Sequence, residues 1–156
     1  MTYSQAIVDA LEVFFHEKNI IVDQIFSSAD DERVYKFKIQ LHCWISTAQI
    51  FIIVRSNNYS IIATIPIKAD IDHRLAAAEY LTRINFNMRN GCFLLDMEDG
   101  EIRFKTYAFI GDGPISTDLI LNMFFIPIKM IEYYSDGILS VIFGFSTPKE
   151  AFNAIP

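Results

Sequence analysis

LTRINFNMRNGCFLLDMEDGEIRFK, residues Leu81–Lys105, is the stretch whose reading decides the fold. Leu81, Ile84 and Met88 continue a stripe that begins at Ala77, so it opens as the end of an amphipathic helix. Asn90-Gly91 reads as the helix stop, because glycine enters the left-handed conformation at little cost. The runs 92–97 and 101–109 then read as a β-hairpin, closed by Asp99-Gly100 in a type I′ turn. A helix running into an antiparallel hairpin points to an α+β protein.

Working outward, the upstream segments agree. Ile7, Ala10, Leu11, Phe14 and Phe15 repeat at helical spacing over residues 3–18, with Thr2 and Gln5 placed as a capping box. Ile20–Phe26 reads as a short first strand, and 27–32 as a polar turn. Tyr35, Phe37, Ile39 and Leu41 alternate with Lys36, Lys38, Gln40 and His42, the pattern of a strand with one wet face. Ile50–Val54 is apolar in both parities, so it is either central or covered by a partner. A turn at Ser56-Asn57-Asn58 leads into a strand over 61–67, and Pro66 puts that end at an edge or terminus. Asp70 or Asp72 is placed to cap the second helix.

Downstream, Gly111–Pro114 is loop and Ser116 caps a long helical pattern. Pro127 should kink that helix or end its first half, because the preceding turn loses a donor. Asp136-Gly137 could end it outright; residues 138–145 fit helix or strand, and helix is the better reading. Thr147-Pro148-Lys149-Glu150 is a capping box with proline at the first helical position. The order is α-β-β-β-α-β-β-α, an antiparallel sheet packed against helices in one domain over 1–156.

The order and the wording of 81–105 resemble the YbjN-like family, whose fold is similar to that of the type III secretion chaperones. The resembling residues are Ile84-Asn85, Asn90-Gly91, the pattern Gly91-x-Phe93-x-Leu95-Asp96, then Asp99-Gly100-Glu101-Ile102-Arg103-Phe104 and the helix capped by Ser116. The match runs over roughly residues 3–145, departing at Cys92, where the family tends to carry a basic residue, and at Pro127. It implies a regulator of sensory transduction or a dimeric, non-catalytic peptide-binding chaperone. It assigns no catalytic or ligand residues.

Composition bounds the chemistry. A net charge of −6 with scattered basic residues argues against a nucleic-acid partner or an anionic membrane surface. The most apolar window, Ile115–Ile131, contains Asp118, Asn122, Pro127 and Lys129, so no bilayer span is expected. The N-terminus lacks a secretory pattern, and Cys43 and Cys92 read as buried reduced thiols, which points to the cytoplasm.

The motifs that carry chemistry fail one by one. An EF-hand loop needs glycine sixth and glutamate twelfth. Starting at Asp96, glycine falls fifth and Tyr107 twelfth. Gly111-Asp112-Gly113 has no Walker lysine, and Asp112 and Asp118 would repel a phosphate. His16 closes the first helix, His73 opens the second, and His42 and Cys43, adjacent on a strand, point to opposite faces. No zinc spacing is present, so no catalytic residue, cofactor or metal is expected.

The remaining signal is an apolar surplus, 52% of residues before glycine is counted. Ile50, Ile52 and Val54 on one side and Met123, Phe125 and Met130 on the other are the candidate interface, although such residues are more often core. The function expected is a non-enzymatic, homodimeric, chaperone-like module that binds protein or peptide segments. The alternatives are a small-molecule sensor with an apolar pocket between sheet and helices, and an enzyme built from dispersed carboxylates.

Overall fold

The computed structural model describes residues 3–28 and 31–156. The elements are α1 (Gln5–Glu17), β1 (Gln24–Ser27), β2 (Arg33–Gln40), β3 (Thr47–Val54), β4 (Asn58–Thr64), α2 (Arg74–Asn85), β5 (Cys92–Leu95), β6 (Ile102–Phe109), α3 (Thr117–Ile142) and α4 (Pro148–Asn153). The strands form one antiparallel sheet in the order β1-β2-β3-β4-β6-β5. The fold is α+β, as its alternating patterns and short turns require.

Parity sorts the strands into a dry and a wet face. One row across the sheet runs Phe37–Ile50–Ala63–Phe104–Phe93, and the next Tyr35–Ile52–Ile61–Thr106. All of these are buried. Phe14 and Phe15 of α1 and Phe124 of α3 pack on this face, with Phe15 edge-on to Tyr35 at 5.2 Å and to Phe37 at 5.7 Å. Phe93 meets Tyr134 of α3 at a ring separation of 5.9 Å.

Several local expectations change. Thr2 lies outside the described residues, and the cap of α1 is Ser4, whose hydroxyl accepts from the Ile7 N–H at 3.3 Å. Asp70, not Asp72, ties down the approach to α2: its Oδ1 accepts from the N–H groups of Asp72 and His73, each at 3.0 Å. His73 itself holds the N-cap position, without a side-chain cap. Helix α2 stops at Asn85, well before Asn90-Gly91. The Asn85 side chain ends it by turning to β5, donating to the Phe93 carbonyl and accepting from the Phe93 N–H, both at 2.8 Å.

The hairpin tip is not type I′, which needs positive φ at both central residues. Only Gly100 has it (φ +83), and the Gly100 N–H closes a wider turn onto the Asp96 carbonyl at 2.8 Å. His42 and Cys43 lie in the loop after β2 rather than on a strand, and Cys43 and Cys92 are free and half-buried.

Helix α3 runs unbroken through both Pro127 and Gly137. Pro127 is buried, so its packing offsets the donor lost opposite Met123. At Gly137, an added Cβ would lie 2.5 Å from Cζ of Tyr80. Glycine is therefore a packing requirement of the α2–α3 contact, not a helix stop. The capping box on α4 is present: Thr147 Oγ1 accepts from the Glu150 N–H at 3.2 Å, and Glu150 accepts from the Thr147 N–H at 2.8 Å.

Candidate functional site: the open face of the sheet

The helices cover one face of the sheet and leave the other bare. Across it runs the row Gln24–Lys36–Phe51–Ile62–Lys105–Cys92, followed by Lys38–Gln49–Thr64–Arg103–Leu94. The middle of this face is apolar and half-buried at Phe51, Ile53 and Ile62. Its flanks are cationic at Lys36, Lys38, Lys68, Arg103 and Lys105. A groove of about 590 Å³ lies over this floor.

The local causes are visible in the strands. Alternation in β2 aims Lys36 and Lys38 outward while Tyr35 and Phe37 face the core. Strand β3 is apolar in both parities, so it supplies core residues and groove floor at once. Lys36 stands over the Phe51 ring at 5.8 Å from its centroid, which keeps the cation on apolar ground. Arg103 pairs with Glu101, and Lys68 pairs with Asp99 at 2.5 Å. The Lys68 ammonium holds Asp99 below the ordinary carboxylate range, and Asp99 holds Lys68 above its own. Among the described residues, no carboxylate lies within ion-pair distance of Lys36, Lys38 or Lys105. A face with five cations and two paired carboxylates, on a chain of net charge −6, is a local reversal of sign.

The sequence-based interface residues go elsewhere. Ile50, Ile52 and Val54 are at most 1% exposed, in the core beneath the helices. Met123 is buried, and Phe125 and Met130 are half-buried against the same core. Ile50, Ile52 and Val54 leave nothing for a partner to cover, which removes them from the candidate interface, while Met123 shows only an edge, in the cleft between β6 and α3. Their neighbours of opposite parity, Phe51, Ile53 and Ile62, are the available apolar surface. The wet face was legible in β2, where lysine marks it. In β3, Thr47 and Gln49 mark the same parity as Phe51 and Ile53, but from Ile50 to Val54 both parities are apolar.

A second feature lies at the sheet margin. A cleft of about 470 Å³ opens between β6 and α3, walled by Leu119, Met123 and Ile126 with Arg89 and Lys105 at its mouth. Thr106 lines it, 3% exposed, and its Oγ1 has no hydrogen-bond partner among the described residues.

Among the described residues, no group of three or more His, Cys, Asp or Glu is placed to hold a metal ion. Nor is any helix there long and apolar enough to cross a membrane. The largest pKa displacements belong to tyrosines of the core. Burial pushes Tyr35 and Tyr80 up to about 12, and raises Tyr59 further. No protein-family model matches this chain, and no curated protein matches it.

Proposed function

We propose that this chain is a non-enzymatic, chaperone-like or regulatory module of the YbjN-like type, which holds protein segments against its open sheet face. The observation that carries the reading is the apolar floor of Phe51, Ile53 and Ile62 beside Lys36 and Lys38, cations left without carboxylate partners among the described residues. Such a surface suits an extended segment that offers apolar side chains to the floor and carboxylates to the rim. A shallow groove spanning several strands fits a chain better than an enclosed substrate.

The reading includes a homodimer in the cytoplasm. Leu75 in the first turn of α2 and Phe86 just past its end are 76% and 88% exposed, and Phe145 is 82% exposed. Apolar side chains standing so far into water are what an interface covers. Light scattering should give twice the chain mass, and a monomer at every concentration would remove the dimer from the reading.

The binding itself is tested with a permanently unfolded, carboxymethylated acidic protein as probe, titrated against the wild type and Lys36→Glu/Lys38→Glu. Saturable binding by the wild type, weakened about tenfold or more in the variant, supports the open face. Equal binding by both rejects it. The cleft beside Thr106 favours a second reading, a sensor for a small apolar ligand between sheet and helix, and native mass spectrometry of the purified protein would reveal such a ligand.

A further inference from the structure

Strand β6 has a free edge that β5 leaves uncovered. β5 pairs with β6 only from Leu95↔Ile102 to Cys92↔Lys105. There the chain leaves the sheet at Gly91, with φ +126, and a Cβ on Gly91 would sit 2.6 Å from the Lys105 carbonyl oxygen. No other residue turns away so close to that carbonyl without a clash.

Parity shows which groups are left open. The Asp96 N–H donates to the Glu101 carbonyl at 2.9 Å, so odd-numbered residues of this strand direct their N–H and C=O toward β5. On the opposite side, the Ile65 N–H donates to the Ile102 carbonyl at 3.1 Å and the Ile110 N–H to the Asn57 carbonyl at 2.8 Å, so even-numbered residues face β4. Tyr107 and Phe109 therefore present main-chain donors and acceptors to no strand. Their side chains are 58% and 64% exposed. An aromatic edge of this kind is a template for strand addition, and nothing blunts it with proline or a bulge.

The cleft supplies the specificity. A strand laid along Thr106–Phe109 would alternate its side chains, as any strand does. Those opposite Thr106 and Ala108 would enter the cleft against Leu119, Met123 and Ile126. Those opposite Tyr107 would emerge on the open face beside Lys105. No carboxylate lines the cleft, and neither Arg89 nor Lys105 has an ion-pair partner among the described residues.

We infer that the β6 edge at Thr106–Phe109, with the cleft behind it, binds an extended protein segment of alternating apolar and acidic residues by strand addition. The site is separate from the Phe51 groove and shares with that reading only the extended nature of the partner.

The probe is a short synthetic peptide of alternating leucine and glutamate, titrated by fluorescence anisotropy and followed by amide hydrogen exchange. In the free protein the Tyr107 and Phe109 amides exchange fast, and saturating peptide slows both. Tyr107→Pro removes an N–H that no described strand accepts, so the fold is retained while affinity falls about tenfold. Leu119→Glu, on an exposed part of the cleft wall, weakens binding to a similar extent without touching the strand. Unchanged exchange at Tyr107 and Phe109 overturns the inference, as does wild-type affinity in both variants. Binding of octanoate in the cleft with no binding of the peptide overturns it too, in favour of a small-ligand site. Peptide binding lost in Lys36→Glu/Lys38→Glu but kept in Tyr107→Pro and Leu119→Glu rejects the edge and leaves the open-face reading standing.

Discussion

The two faces of the sheet come from the same strands, and along β3 they differ by a single residue of parity. Ile50, Ile52 and Val54 lie in the core, while Phe51 and Ile53 form the groove floor. Side chains of similar size and hydropathy thus serve opposite ends. The difference teaches that burial in this sheet follows from where the helices dock, not from the hydrophobicity of the strand. The covered face is closed by interlocked rings, Phe15 with Tyr35 and Phe37, and Phe37 with Phe124. The open face is wetted by lysine, and its apolar centre stays uncovered by the helices.

Charging the two parities of β3 in turn should separate the faces by the largest margin. Ile52→Asp should cost about 4 kcal/mol or unfold the chain, because it buries an uncompensated charge and opens a cavity. Ile53→Asp, one residue along, should cost less than about 1 kcal/mol. Urea titrations followed by circular dichroism decide the matter, and equal losses would mean that the faces are wrongly assigned.

Gly137→Ala probes the helix layer over the covered face and should cost about 2 kcal/mol by overpacking against the Tyr80 ring. Tyr80→Phe should be nearly neutral or slightly stabilising, since the buried Tyr80 hydroxyl has no partner among the described residues to lose. A large loss on Tyr80→Phe would reveal a hydrogen bond that the packing does not show.

A third test uses pH. Tyr35 and Tyr80 are raised from the ordinary 10.0 to about 12, chiefly by burial. A raised pKa means that the folded state holds its proton where the unfolded state has lost it. Their contribution is therefore complete below pH 10 and disappears as pH climbs toward about 12. Alkaline unfolding should coincide with late tyrosinate absorbance, and ionisation of all the tyrosines without unfolding would contradict their burial.

The smallest effect belongs to the open face. Lys36→Glu/Lys38→Glu should change stability by less than about 0.5 kcal/mol, since neither lysine has a carboxylate partner among the described residues. A larger loss would make the open face a structural element instead of a docking surface.

Local chemistry was legible at several positions where a signal is completed within a few residues, though the Asp99-Gly100 turn and the cap of α2 were not among them. Ser116 accepting from Leu119, the Thr147–Glu150 capping box and the wet face of β2 all read directly from side-chain type and spacing. Signals whose completion lies far along the chain misled. Gly91 looked like a helix stop, but its partner is the Lys105 carbonyl across the sheet; Gly137 looked like another, but it faces Tyr80 of α2. The groove was half legible, because Lys36 and Lys38 mark its rim while its floor has the same composition as the core.

The α+β class and the caps at Ser116 and Thr147 were fixed within a few residues of chain and follow from short-range geometry. Helix docking and strand pairing, by contrast, decided that the apolar Phe51 and Ile53 stay uncovered, that α3 continues through Pro127 and Gly137, and that β6 outruns β5 to leave an open edge. Those outcomes depend on helix docking and strand register, which bring together residues far apart in sequence and have no local signature.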